Sequence, residues 1–256
     1  MIAVIAWNTF REAVRDRILF NLVFFALLMI SAAVLVGQIS IGIEHLIIVN
    51  LGLTAISLFG VAMAVILGVA LIYKEIERRT LYTLLSKPVR RWQFIAGKYC
   101  GLCLTLTVNT LFMTAGLILA LFYVDQGLRP SDLQVLVGVF FILLQLFLLT
   151  GIALLFSCFA TPAVATLGTL GLYMVGVFSE DIRTFGEISK DPMMQRLTSG
   201  LYYLLPNFGA FNVISAVAHE HPIPGALIAG NITYVVLYVA IALIASAAIF
   251  SNRDLK

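Results

Sequence analysis

The sequence predicts an all-α membrane protein of about six spanning helices. Three features predict it: an apolar composition, charge gathered into short clusters, and apolar runs between the clusters long enough to cross a bilayer. Of 256 residues, 61% are hydrophobic and 11% charged, and the mean hydropathy is +1.04. An ordinary soluble domain carries roughly 25% charged residues, so a soluble globule of this composition would have too little polar surface to cover itself. The apolar runs recur at about 20 residues, which at ~1.5 Å per residue crosses a ~30 Å hydrocarbon core.

Residues 1–17 read as an amphipathic helix. Asn8, Arg11, Glu12, Arg15 and Asp16 share one face and Trp7, Phe10 and Val14 lie on another. Such a helix is expected to lie along the membrane surface as an elbow, with its aromatic rings at the headgroup level. Spans are expected at 18–36, 46–73, 99–124, 133–159, 163–178 and 225–250, forming a single transmembrane domain over 1–256. The first run follows a basic segment and contains Ser31-Ala32-Ala33, as a cleaved signal would. It is longer than a signal's apolar region and is preceded by the elbow segment, so it reads as a span.

Orientation follows from Lys and Arg, which are retained in the cytoplasm. Twelve of the sixteen (Arg11, Arg15, Arg17, Lys74, Arg78, Arg79, Lys87, Arg90, Arg91, Lys98, Arg253 and Lys256) fall on the side of the termini, leaving Arg129, Arg183, Lys190 and Arg196 opposite. Both termini are therefore expected in the cytoplasm. The connection 74–98 is the main cytoplasmic feature, and 179–222 is the external one. The net charge of +3 reflects this asymmetry and gives no sign of a nucleic acid partner.

Ionisable groups at the bilayer centre are costly and mark ion or proton pathways; the expected spans hold essentially none. Their polar residues are neutral: Asn50, Thr54, Ser57, Thr105, Thr107, Asn109, Thr110, Gln145, Thr150, Asn231 and Thr233, which read as hydrogen-bonding glue between helices. The sequence has no HExxH, GxSxG or P-loop pattern, so no catalytic residue and no nucleotide hydrolysis of its own is expected. His219-Glu220-His221 reads as a solvated loop ahead of Pro222, and Cys100, Cys103 and Cys158 as small buried hydrophobes. No metal or cofactor site is expected on the chain. Gly168, Gly171 and Gly176, and Gly60, Ala64 and Gly68, let helices approach closely, within one bundle or between two copies.

The connection reads KEIERRTLYTLLSKPVRRWQFIAGK over 74–98. Its first half is expected to be helical as far as Lys87, where Pro88 stops it, with Glu75 and Glu77 favourably placed at the positive end of the helix dipole. Ile76, Leu81, Leu84 and Leu85 form an apolar strip on a charged segment, suited to a groove on a partner protein or to the membrane surface.

The order Glu75-x-Glu77-x-x-Thr80, Leu84-Leu85, Pro88, Arg91 and Gly97-Lys98 resembles the signature of type-2 ATP-binding-cassette transporter permeases between their second and third spans. Arg79 departs from it, standing where the family commonly has Gly. Tyr202-Tyr203-Leu204-Leu205-Pro206-Asn207-Phe208, followed by Phe211-Asn212, is similar to the external segment before that family's last span.

The resemblance implies that two permease copies pair in the bilayer. Each would rest its connection, as a coupling helix, on a separate P-loop ATPase subunit that holds ATP and Mg, so two ATPase copies are expected and no cofactor on this chain. It also implies an ATPase-facing surface of Glu75, Glu77, Arg78, Arg79, Thr80, Leu84 and Leu85, with Arg90 and Arg91 free to hold lipid phosphates. On the external side Met193, Leu197, Leu201 and Leu204 form one apolar stripe, and short re-entrant helices would build a gate from Leu201, Leu204, Pro206, Asn207, Phe208 and Phe211.

The implied function is the permease subunit of an ATP-driven exporter in a bacterial inner membrane, to which an accessory periplasmic or membrane protein can be added. The alternatives are an ATPase-coupled scaffold that transmits mechanical work, and a stand-alone secondary transporter or channel. The last is disfavoured by a core without titratable groups. The apolar spans are compatible with lipids, hydrophobic peptides and drug-like molecules alike, and no residue stands out as a substrate ligand.

Overall fold

The computed structural model describes residues 2–16, 24–25, 27–29, 31–32, 35, 42–77, 91–127, 129–189 and 191–252, and every regular element among them is helical. The helices are α1 (Ile2–Asp16), α2 (Glu44–Glu77), α3 (Arg91–Asp125), α4 (Asp132–Ser157), α5 (Pro162–Val177), α6 (Ser179–Ile188), α7 (Pro192–Leu204), α8 (Ile214–Ala218) and α9 (Gly225–Asn252), with one 3-10 turn at Gly209–Phe211.

Four of these contain stretches long and apolar enough to cross a membrane: Glu44–Ala70, Trp92–Asp125, Asp132–Ser157 and Gly225–Phe250. α5, at 16 residues, is short for a span, and α6 continues from it after a 50° bend, so the pair makes a broken fifth span or a re-entrant element. Beside the bend, the Gly176 carbonyl near the end of α5 accepts a hydrogen bond from the Phe208 amide (3.0 Å). The first expected span, 18–36, lies largely outside the described residues; those described within it are helical, and Phe25 packs edge-on to Phe59 of α2 at 6.2 Å. Among the described residues the count is thus four spans, or five with the bent pair.

The bundle is assembled at glycines. A Cβ on Gly68 of α2 would stand 2.7 Å from Ala153 Cβ of α4, and one on Gly60 would stand 2.7 Å from Leu146 Cδ1. The small-residue face of α2 is therefore filled inside this chain, with Ala64 buried between the two glycines. Gly171, by contrast, faces open space. α1 packs on α3 at a pair of glycines four residues apart: a Cβ on Gly97 would meet Ile5 Cβ at 2.8 Å, and one on Gly101 would meet the Ala6 carbonyl and Thr9 Cβ, each at 2.6 Å. The face of α1 turned to the bundle is accordingly Ile5, Thr9 and Ala13, with Thr9 and Ala13 buried, whereas Trp7 points outward at 54% exposure. Small residues are what permit this approach, since lipid offers no hydrophobic drive between helices.

These contacts set two ends. α1, the start of α3 and the end of α9 share one, where the rings of Phe94 and Phe250 stack at 6.0 Å; the connection 78–90, outside the described residues, joins α2 to α3 there. The far end carries the start of α2, the turn between α3 and α4, and the segment 206–221.

Most hydroxyls in the bundle do not bridge helices. Thr105, Thr107, Thr150 and Thr233 each donate to the carbonyl four residues earlier in their own helix, at 2.7–3.0 Å. The reading of these side chains as interhelical glue is corrected by that geometry: a hydroxyl beside a helical backbone finds its acceptor locally. The bridging is done by amides and phenols. Asn109, fully buried, donates to Met63 Sδ (3.1 Å), Gln145 donates to the Tyr173 hydroxyl (2.9 Å), and the Tyr99 hydroxyl donates to the Phe147 carbonyl (3.2 Å).

Gly101→Leu is expected to lower stability by ~1–3 kcal/mol through overpacking against α1, read as a drop in the unfolding midpoint of the detergent-purified chain. Gly171→Leu, which meets nothing, should leave that midpoint in place.

Candidate functional site

The far end of the bundle is closed by irregular backbone. After α7 the chain turns inward at Pro206, and Pro206, Asn207, Phe208 and Phe211 are all buried, Phe208 and Phe211 at 1% exposure. Unpaired backbone at this depth has no water to bond, so each polar group needs a protein partner. The Asn207 amide donates to the Tyr234 hydroxyl of α9 (2.8 Å), the Phe208 amide to the Gly176 carbonyl of α5 (3.0 Å), and the Ala210 amide to Asn207 Oδ1 (3.0 Å). Asn231 of α9 donates to the Ala210 carbonyl at 3.3 Å. Gly176 is a requirement here, because a Cβ on it would run into the Pro206 carbonyl and the Phe208 ring.

Below this segment the Phe208 ring packs edge-on to Tyr173 (5.1 Å), whose hydroxyl accepts from Gln145, which in turn reaches Ser57 Oγ at 3.5 Å. One chain of contacts therefore links the segment to α5, α4 and α2. α8 completes the closure, with Val217 buried beside Gly138 of α4 and Leu53 of α2.

Of the six residues expected to form an external gate, the structure brings Pro206, Asn207, Phe208 and Phe211 together. Leu201 stays on α7 at 43% exposure, and α7 itself ends at Leu204. The α6–α7 hairpin closes where Gly186 meets Thr198, and it leaves Phe185, Ile188, Met193 and Leu197 exposed. Glu75 and Glu77 continue the helix α2, while Arg78, Arg79, Thr80, Leu84 and Leu85 lie outside the described residues.

His219, Glu220 and His221 sit on an exposed turn in which Glu220 adopts a positive φ of 56° and the two imidazoles stack at 6.1 Å. Cys100 is exposed, Cys103 half-buried and Cys158 buried, all three as free thiols. Cys100 is thus not the buried hydrophobe that its sequence context suggests.

A comparison with protein families matches residues 3–255 to the ABC-2 family transporter proteins. The chain belongs to that family. A comparison with curated proteins returned no match. Membership gives the bundle its role as a membrane component of a transporter. The structure gives a physical reason for part of the motif noted in the sequence: Gly97, within Gly97-Lys98, is where α1 of this ABC-2 transporter chain rests on α3.

The sequence reading missed a charged cluster at the far end. Lys98 and Asp132 are buried, and the side chains of Asp125 and His45 are 4% and 12% exposed. Lys98 lies at the near end, its Nζ 5.7 Å from the Phe94 ring centroid. The others converge at the far end, where His45 Nδ1 and Asp125 Oδ2 are 2.7 Å apart. His45 and Asp125 are eighty positions apart, and no local spacing signals such a contact.

Tyr234→Phe in this ABC-2 transporter chain removes the acceptor of the Asn207 amide. A buried donor left unpaired costs ~1–3 kcal/mol, so hydrogen exchange at 206–211 should quicken by about tenfold or more. Unchanged exchange there would remove the phenol from the account of how the segment is held.

Proposed function

We propose that this chain is the permease subunit of an ATP-driven exporter, two copies of which pair and rest on separate P-loop ATPase subunits. The observation that carries the reading is the family match over 3–255. The motif Glu75-x-Glu77-x-x-Thr80 with Leu84-Leu85 and Pro88 supports it, falling in a strongly basic connection that also carries an apolar strip. So does the lack of any nucleotide-binding pattern, which leaves the energy source to another polypeptide.

On this reading the chain crosses the membrane six times, the first span lying at 18–36, with both termini and the connection 74–98 in the bacterial cytoplasm. α1 is the elbow. The 74–98 connection is the coupling helix, meeting the ATPase through Glu75, Glu77, Arg78, Arg79, Thr80, Leu84 and Leu85. Pro206, Asn207, Phe208 and Phe211 form the external gate, with Leu201 and Leu204 on the helix leading into it. ATP and Mg belong to the partner, and no residue of this chain takes a catalytic role.

The test is purification of the tagged chain from its native membrane in mild detergent. A P-loop ATPase should accompany the wild type, and its recovery should fall by about tenfold or more when a two-residue apolar anchor is replaced by charge, as in Leu84→Asp with Leu85→Asp. Insertion of the double variant should be normal. Absence of any ATPase, even after crosslinking, would instead favour a stand-alone channel.

A further inference from the structure

At the far end of the bundle three ionisable side chains meet from three different helices. His45 comes from the first turn of α2, Asp125 from the last residue of α3 and Asp132 from the first residue of α4. The side chains are 12%, 4% and 7% exposed. One imidazole nitrogen and one oxygen from each carboxylate all lie within 4.8 Å of one another.

The partners of each atom are unequal. Asp125 is satisfied on both oxygens, Oδ2 at 2.7 Å from His45 Nδ1 and Oδ1 at 2.7 Å from the Arg129 guanidinium. Asp132 Oδ2 accepts from the Arg129 amide at 2.8 Å. Asp132 Oδ1 is buried and has no hydrogen-bond partner, and it faces His45 Nε2 at 3.9 Å. That gap is too wide for a hydrogen bond, which needs ~2.7–3.2 Å. It is the gap that a bridging cation fills, since two ligands at ~2.0–2.2 Å from one ion stand up to ~4.2 Å apart.

The charge count points the same way. Two buried carboxylates face a single guanidinium, that of Arg129, which is 51% exposed at the edge of the cluster. A second positive charge is needed to balance the pair in so dry a place, and a bound cation supplies one. The donor set of one imidazole and carboxylate oxygen suits a borderline transition ion better than Mg²⁺ or Ca²⁺, which take oxygen ligands. The Asp125–His45 contact is also the arrangement by which a carboxylate behind an imidazole fixes the ring of a metal ligand.

We propose that His45 and Asp132 bind a divalent transition-metal ion of the Zn²⁺ class. His45 Nε2 and Asp132 Oδ1 are the protein ligands, Asp125 holds the imidazole in position, and water on the Arg129 side completes the coordination. The bound ion ties the outer ends of α2, α3 and α4 together beside the segment 206–221. The inference is independent of the ATPase partnership, since it concerns only residues of this chain.

The test is isothermal titration of Zn²⁺ into the full chain purified in detergent micelles. Saturable binding of roughly one ion per chain is expected. Affinity should fall by about 100-fold or more in His45→Gln and in Asp132→Asn, and by about 10–100-fold in Asp125→Asn, as for carboxylates behind a metal-binding imidazole. It should persist when His219→Gln and His221→Gln are combined. No saturable binding by the wild type, or binding that survives His45→Gln and is lost with the His219 and His221 changes, would overturn the site. Should the His45 and Asp132 variants fail to fold, X-ray absorption on the Zn²⁺-loaded wild type decides the matter. A single imidazole among oxygen ligands supports it, whereas two imidazoles or any sulfur ligand refute it.

Discussion

Water is absent from the hydrocarbon core, and the rest of the structure follows from that. A backbone that cannot bond to solvent must bond to itself, so the crossing stretches are helices whose hydrogen bonds close within one segment. The same absence removes the hydrophobic drive between helices, leaving close packing to hold them. Glycine is then the residue that decides which helices are neighbours. Gly60 and Gly68 seat α2 on Leu146 and Ala153 of α4, Gly97 and Gly101 seat α1 on α3, and Gly176 admits the Pro206–Phe208 turn against α5. The irregular segment that follows α7 obeys the rule too, its amides taken up by Tyr234, by the Gly176 carbonyl and by Asn207 itself.

The all-helical class was legible because composition alone forces it: a chain this apolar, with its charge in clusters, has no soluble solution. The closed segment was legible in outline through Pro206-Asn207, since Pro ends a helix and Asn serves a turn by accepting from a nearby amide, as it does from Ala210. The packing face of α1 was not legible. Aromatic rings drew the reading to Trp7 and Phe10, but a helix seated on glycines buries its small residues, and Thr9 and Ala13 are what lie inward.

The charged cluster was missed for a different reason. Reading spans as uncharged runs stops each one at its first ionisable residue, so His45, Lys98, Asp125 and Asp132 each fall one position beyond an expected boundary and drop out as loop residues. In the structure His45, Asp125 and Asp132 lie in the terminal turns of α2, α3 and α4 with side chains 12%, 4% and 7% exposed, and Lys98 is buried in the third turn of α3. Hydropathy finds where a span is apolar. It does not find where burial ends, and the two differ by the turn or so in which paired charge is tolerated.

That difference bears on how force would move through the bundle. α2 and α3 are the two helices that flank the connection 78–90, and they run 34 and 35 residues, about 50 Å each at ~1.5 Å per residue. Their far ends are the ends joined by the 2.7 Å contact of His45 and Asp125. If the connection receives the ATPase's load, as proposed, that load would act on two long helices tied to each other at the opposite end, and a tied pair tilts together more readily than it slides apart. α2 is keyed to α4 along Gly60 and Gly68, and α4 reaches Tyr173 and then Phe208 through Gln145. Packed interfaces of this kind shift between discrete arrangements and do not deform smoothly. On the proposed reading, a tilt of the α2–α3 pair would pass through α4 to the aromatic contact beneath the Pro206–Phe208 turn, and that contact would have to repack for the far end to open.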